Sequence, residues 1–359
     1  MLYYLSHLAE FHPFFDVFRY VTVRAGIAAV ISLFFTFCFL PFLTKKLEKF
    51  GFLAQIRKKY FHHFHDHKNN IPTGGGLGII LAIFLSCLLT AKLNKWIIVV
   101  LITAFFFALL GFLDDWLKVK RKDSGGIRKS HKLIIESVFG LILGIWLIFQ
   151  KTAFPISALS LPFLKDLILD LGIFYIFWVI LVILGTSNAV NLTDGLDGLA
   201  ASSLVFVGIG YGILSYLAGH AILSQYLYIP HIEGVGELSI FCVSFVAASL
   251  GFLWYNSYPA QIFMGDVGSL PLGASLGLVA LVTKQELILP IIGGIFVIEA
   301  LSVILQVISF QWKQKRIFKM TPLHHHLELK NWPEPKIVIR FQIISILILV
   351  LGLLTLKLR

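Results

Sequence analysis

Asp114 and Asp115 are adjacent carboxylates at the end of a long apolar run, and side by side they repel one another. If that run is a helix they also face its negative dipole end, so a metal ion or the nearby lysines must compensate them. Asn188, Asn191, Asp194 and Asp197 recur every third residue in Asn-Ala-Val-Asn-Leu-Thr-Asp-Gly-Leu-Asp-Gly. On a helix this spacing lines up four oxygen-bearing side chains along one stripe. Asp266 lies between glycines in Phe-Met-Gly-Asp-Val-Gly-Ser, where backbone can approach a ligand closely. His324, His325 and His326 are consecutive, and neighbouring side chains diverge by about 100° on a helix. Phosphate binding or proton handling therefore suits them better than convergence on one zinc. Taken together, the oxygen donors favour Mg²⁺ or Mn²⁺ over softer metals, and the spacing and closing Glu of a calcium EF-hand are missing.

Each cluster also has an ordinary structural explanation. Asp114-Asp115 would mark a membrane edge, Asn191 or Asp194 would cap free amides, Asp266 would be the N-cap of the next helix, and the histidines would form a solvated basic loop. The turn Pro72-Thr73-Gly74-Gly75-Gly76 lacks the Gly-Lys-Ser/Thr of a Walker A loop and the spacing of a dinucleotide fingerprint. Its later glycines fit close helix packing, while Lys68 and Thr73 remain within reach of a phosphate. Glu299 falls in mid-run and needs a partner inside a helix bundle, as does Gln306.

The elements that must position these groups are membrane spans. The chain of 359 residues is 58% hydrophobic and only 14% charged, with repeated apolar stretches near the ~20 residues needed to cross ~30 Å of hydrocarbon. Ten spans are expected, at 18–43, 74–91, 95–113, 131–150, 172–187, 197–218, 238–255, 269–283, 287–308 and 337–356, making an all-α, polytopic membrane protein of a single domain, 1–359. Lys and Arg concentrate in the connections after spans one, three and nine, which places the odd connections in the cytoplasm and both termini outside. The cytoplasmic loops then lie at about 44–73, 114–130, 188–196, 256–268 and 309–336, so every polar cluster emerges on one side. The formal charge of +11 is mostly inner-face charge, suited to anionic lipid or a phosphorylated substrate rather than to nucleic acid. Residues 1–18 lack the basic start and cleavage site of a secretory signal, and their aromatics fit an interfacial segment. Cys38, Cys87 and Cys242 have no ligand spacing and are expected in the core.

In their order along the chain, Pro-Thr-x-Gly-Gly, Asp-Asp, Asn-x-x-Asn-x-x-Asp-Gly-x-Asp-Gly, Phe-Met-Gly-Asp-x-Gly-Ser and Pro-Leu-His-His-His-x-Glu with Trp-Pro-Glu-Pro resemble the bacterial phospho-N-acetylmuramoyl-pentapeptide transferases. The likeness spans nearly the whole chain. The unbroken histidine run with Glu328 is similar to the muramoyl branch of the polyprenyl-phosphate N-acetylhexosamine-1-phosphate transferases. Gly74 departs from the family, which commonly has Met there.

The resemblance implies transfer of phospho-MurNAc-pentapeptide from UDP-MurNAc-pentapeptide to undecaprenyl phosphate, giving lipid I and UMP at the cytoplasmic side of the bacterial inner membrane. It implies Mg²⁺ held mainly by Asp266, and catalytic roles for Asp114, Asp115, Asp266 and His324. It assigns Lys68, Thr73, Asn188, Asn191, Asp194, Asp197, Phe263, Gln306, His325 and His326 to the substrate side, with Phe263 placed to stack on uracil. A homodimer among membrane lipid is the expected assembly. Exchange of one pyrophosphate linkage for another needs no ATP-binding loop, and the sequence has none. Direct transfer and a covalent aspartyl-phosphate route both remain open, as does the choice of base between Asp114 and Asp115. The competing functions are a GlcNAc-1-phosphate transferase on the same scaffold and, more distantly, a secondary transporter, which would carry its coupling residues near the midplane.

Overall fold

The computed structural model describes residues 1–54, 71–121, 125–162 and 168–356. Its principal helices are α1 Val21–Lys49, α2 Gly76–Thr90, α3 Lys95–Arg121, α4 Lys129–Ile148, α5 Tyr175–Thr193, α6 Leu199–Gly219, α7 Leu238–Asn256, α8 Asp266–Val282, α9 Gly294–Lys313 and α10 Glu334–Leu354. Eight of these are long and apolar enough to cross a membrane; α2 and α8 are apolar but shorter. The chain is thus an all-α, multi-pass membrane protein. Exposed apolar side chains such as Phe34, Ile142, Ile304 and Leu347 form outer faces that lipid, not water, must cover.

Helix α8 is the axis of the bundle. Every residue from Val267 to Val282 is buried, which explains why it is apolar on all faces. At 17 residues it rises only about 26 Å, and α2, α3, α5 and α6 pack around it. Close approach is obtained by removing side chains: a Cβ on Gly76 would strike the Gly268 backbone, and one on Gly111 would strike the Asp266 carbonyl. These two contacts bring α2 and α3 against the first turn of α8, where Asp266 sits.

Several expected boundaries move. Helix α3 runs to Arg121 rather than stopping at 113, so Asp114 and Asp115 lie within a helix and not in a loop. The ion pair from Lys118 to Asp114 one turn away and the basic last turn, Lys118, Lys120 and Arg121, sustain the extra length. Helix α5 likewise continues to Thr193. Helix α9 begins at Gly294 rather than 287, because a short helix, Leu289–Ile292, ends at Gly293. Residues before α1 form short helical turns, Leu2–Leu5, Ser6–Glu10 and Pro13–Arg19. One antiparallel hairpin, β1 Ala158–Ser160 with β2 Ile168–Asp170, occupies the connection between α4 and α5. Cys87 and Cys242 are buried as expected, whereas Cys38 is exposed on α1.

Candidate active site

Four helices meet in an acidic centre. Asp114 and Asp115, 3% and 4% exposed, project from α3 toward Asp266 at the start of α8, and one carboxylate oxygen from each lies within 4.8 Å of the others. Lys118 stands among all three, its Nζ 2.6 Å from Asp114 Oδ2, 3.3 Å from Asp115 Oδ1 and 3.0 Å from Asp266 Oδ1. From α4, Lys132 Nζ reaches Asp266 Oδ2 at 2.7 Å. From α5, Asn191 Nδ2 donates to Asp266 Oδ1 at 2.9 Å and to Ser269 Oγ at 2.8 Å. Backbone amides complete the cradle: Ile127 donates to Asp114 Oδ1 at 2.7 Å and Val267 to Asp115 Oδ2 at 3.1 Å.

Local structure accounts for this convergence. The spacing of three and four residues puts Lys118 on the same face of α3 as the aspartates. Asp266, as the first residue of α8, faces the positive end of the helix dipole. Gly265 has φ +75°, and a Cβ there would press into Asp115 Oδ2 and Thr73 Oγ1, so no other residue fits this turn without strain. Three carboxylates stand against two ammonium groups. With oxygen donors only, the set matches the preference of a hard divalent cation such as Mg²⁺.

Asp194 caps the end of α5 with non-helical ψ of 56°. Burial first, then the charges of Asp266 and Asp115, push its carboxyl up to about 7 against the opposing hydrogen bond from the Gly265 backbone. Asp194 therefore joins the acidic centre, but the four-residue stripe expected along one helix does not form. The helix ends at Thr193, and Gly198 turns the chain with φ +77°, carrying Asp197 away. Asp197 Oδ2 instead accepts from the Ala260 amide at 2.9 Å, and its own amide donates to Glu334 Oε1 at 2.6 Å. It joins the 257–265 loop to α10. Asn188, one turn before Asn191, pairs with Glu136 of α4, its Nδ2 donating to Oε2 at 2.7 Å.

Thr73 and Phe263 are joined through backbone. Phe263 donates its amide to Pro72 O, and Gly75 donates to Phe263 O, both at 2.8 Å. This strap lays the Thr73 turn beside Gly265. Lys68 lies outside the described residues.

The histidines separate into distinct settings. His324 is fully buried and its amide donates to Glu299 Oε1 at 3.2 Å, with Nδ1 3.3 Å from Glu299 Oε2. Neither ring nitrogen makes a hydrogen bond among the described residues, so the Glu299 contact is an electrostatic approach only. Nε2 abuts Gly195, where a Cβ would collide with it, so His324 bridges Glu299 of α9 to the Asp194 loop. His325 Nδ1 meets Glu328 Oε2 at 2.7 Å. His326 Nδ1 accepts from the Lys319 amide at 3.1 Å; burial, then Lys330 and Lys319, hold its pKa below the ordinary histidine value. Gln306 accepts from the Ile317 and Phe318 amides at 3.0 Å each, a staple on the loop after α9 rather than a contact deep within the bundle.

Sequence pointed to the lysines near Asp114 and Asp115 without choosing Lys118, and it gave Lys132, Glu136 and Ser269 no individual role. Lys118 carried a detectable signal, its spacing from Asp114 and Asp115; the others are defined only by contacts between helices distant in sequence.

Fold and centre together define a multi-pass membrane protein with an oxygen-rich acidic cluster that could hold a metal ion, and a family model described as Glycosyl transferase family 4 matches residues 97–284, a stretch that carries Asp114, Asp115 and Asp266. A phospho-N-acetylmuramoyl-pentapeptide-transferase of Thermodesulfovibrio yellowstonii is 46% identical over 362 residues, covering 100% of this chain and 100% of the relative. At that identity over both full lengths, the chain belongs to the phospho-N-acetylmuramoyl-pentapeptide transferases.

Proposed function

We propose that this protein transfers phospho-MurNAc-pentapeptide from UDP-MurNAc-pentapeptide to undecaprenyl phosphate, releasing UMP and forming lipid I. The reaction takes place at the cytoplasmic face of the inner membrane, in a bundle of ten spans with both termini outside. The observation that carries the proposal is the meeting of Asp114, Asp115 and Asp266 with Lys118 and Lys132 in a chain aligned end to end with a transferase of that name. A soluble nucleotide donor and a lipid acceptor both have access to a site at the membrane end of a bundle.

Asp266 would hold Mg²⁺ together with Asp114 and Asp115, and the ion, when bound, supplies charge stabilisation for diphosphate oxygens. Lys118 and Lys132 add N–H donors for phosphate. Asn191 keeps the Asp266 carboxylate oriented. Asp114 or Asp115 aligns or deprotonates the acceptor phosphate, whose oxygen attacks the phosphorus bearing the sugar; that P–O bond forms as the bond to the UMP oxygen breaks. His324 to His326, with Asn188, Asp194, Thr73 and Phe263, border the nucleotide and phosphate side.

A donor comparison tests the assignment. Purified protein in detergent with Mg²⁺ and undecaprenyl phosphate is expected to release UMP from UDP-MurNAc-pentapeptide and not from UDP-GlcNAc. The reverse preference would move it to the GlcNAc-phosphate transferases, and no release from either would reject the transferase mechanism.

A further inference from the structure

Glu136 is fully buried on α4, one turn beyond Lys132, and the mechanism above does not use it. Its Oε2 accepts from Asn188 Nδ2 at 2.7 Å, while its Oε1 is buried without a hydrogen-bond partner among the described residues. A buried carboxylate with an unmatched oxygen is costly to retain. Its position shows what it accomplishes. Helices α4 and α5 pack closely because Gly140 and Gly144 admit the backbones of Ile180 and Ile176, giving an antiparallel ladder. On the rung nearest the acidic centre, Lys132 and Asn191 grip Asp266 from the two helices. On the next rung, Glu136 meets Asn188.

A carboxamide presents nitrogen and oxygen ends of nearly equal size, so shape alone does not set its orientation. A carboxylate accepts but does not donate, and it therefore selects the nitrogen end. The second N–H of Asn188 donates to Leu184 O at 3.0 Å. Both donors being satisfied, the amide oxygen of this half-buried residue, which accepts no hydrogen bond among the described residues, is placed to accept from a ligand.

We infer that Glu136 is a positioning residue for the transfer reaction, which by acting through Asn188 fixes that amide with its oxygen free to accept from an N–H or O–H of the sugar-nucleotide donor. The inference rests on the proposed transferase function and on the place of Asn188 at the substrate side.

The test is steady-state kinetics with UDP-MurNAc-pentapeptide and undecaprenyl phosphate, with thermal melting alongside. Glu136→Met keeps side-chain volume but removes the acceptor, and is expected to lower kcat/KM for the nucleotide donor by roughly 10–100-fold while leaving KM for the lipid acceptor unchanged. Glu136→Gln can still accept from Asn188 and should recover most of that loss. Glu136→Met combined with Asn188→Ala should be no slower than Asn188→Ala alone, because the first acts through the second. Parental kinetics in a folded Glu136→Met protein, or losses that multiply in the double variant, would overturn the inference. Should Glu136→Met fail to fold, Asn188→Asp, which sets two carboxylates against each other, should be slow and regain rate when paired with Glu136→Gln; no regain overturns it. An inactive parent would instead count against the transferase function itself.

Discussion

Lys118 touches three carboxylates at once, and with Lys132 on Asp266 it offsets part of the charge that Asp114, Asp115 and Asp266 bring together. Among the described residues no lysine pairs with Asp194. Its carboxyl rises to about 7, whereas in an unfolded chain it titrates near 3.9. The fold therefore holds this proton more tightly than the unfolded chain does, a stabilisation present below about pH 4 and lost as pH rises through about 7. Asparagine has no proton to lose. In EDTA, Asp194→Asn should melt above the parent at about pH 8, with the difference shrinking toward about pH 4; an equal difference at both pH values would contradict the assignment. At this scale the sequence was legible for Asp114, Asp115, Asn191, Asp194 and Asp266, because type and spacing alone exposed them. It was not legible for Asp197 or Gln306, whose partners are backbone amides of other loops, a use that many polar residues share and that leaves no spacing signal.

Among the elements, α8 sets the register of the site. The Gly76–Gly268 crossing fixes α2 against its first turn, and the strap from Pro72 to Phe263 holds the adjacent loop. Gly76→Ala should destabilise the protein by about 1–3 kcal/mol, since the added methyl meets backbone that has no rotamer to yield. A melting curve in detergent checks this, and an unchanged midpoint would show that the helices slide apart without penalty. Apolar runs located the long helices among the described residues, but their ends moved wherever charge pairs or glycines competed with hydropathy. The extension of α3 past Asp115 depends on Lys118, and the late start of α9 on Gly293. Hydropathy reports burial in lipid; it does not report hydrogen bonds that carry a helix beyond the membrane edge.

For the whole molecule, polar clusters separated by up to about two hundred positions gather because helices α3, α5, α8 and α9 present them at one end of the bundle. The basic connections at that end support the proposed cytoplasmic placement. Single cysteines substituted at Lys315 and at Lys95 should then react with a membrane-impermeant maleimide only from opposite faces of sealed vesicles, Lys315→Cys from the cytoplasmic one; labelling of both from one face would overturn the topology. Hydropathy was enough to anticipate a multi-pass helical bundle, but not the gripping of Asp266 between α4 and α5, since nothing in the spacing of Lys132 and Asn191 links them.

The claim on which the others depend is that the Asp114, Asp115 and Asp266 centre carries out a divalent-metal-dependent transfer. Lipid I formation by the purified parent and by Asp266→Asn, each with Mg²⁺ and with EDTA, measures it directly. The expected result is turnover by the parent in Mg²⁺ alone, and a loss of at least about 100-fold in the folded Asp266→Asn protein. Undiminished lipid I formation in EDTA, or by Asp266→Asn, would contradict it.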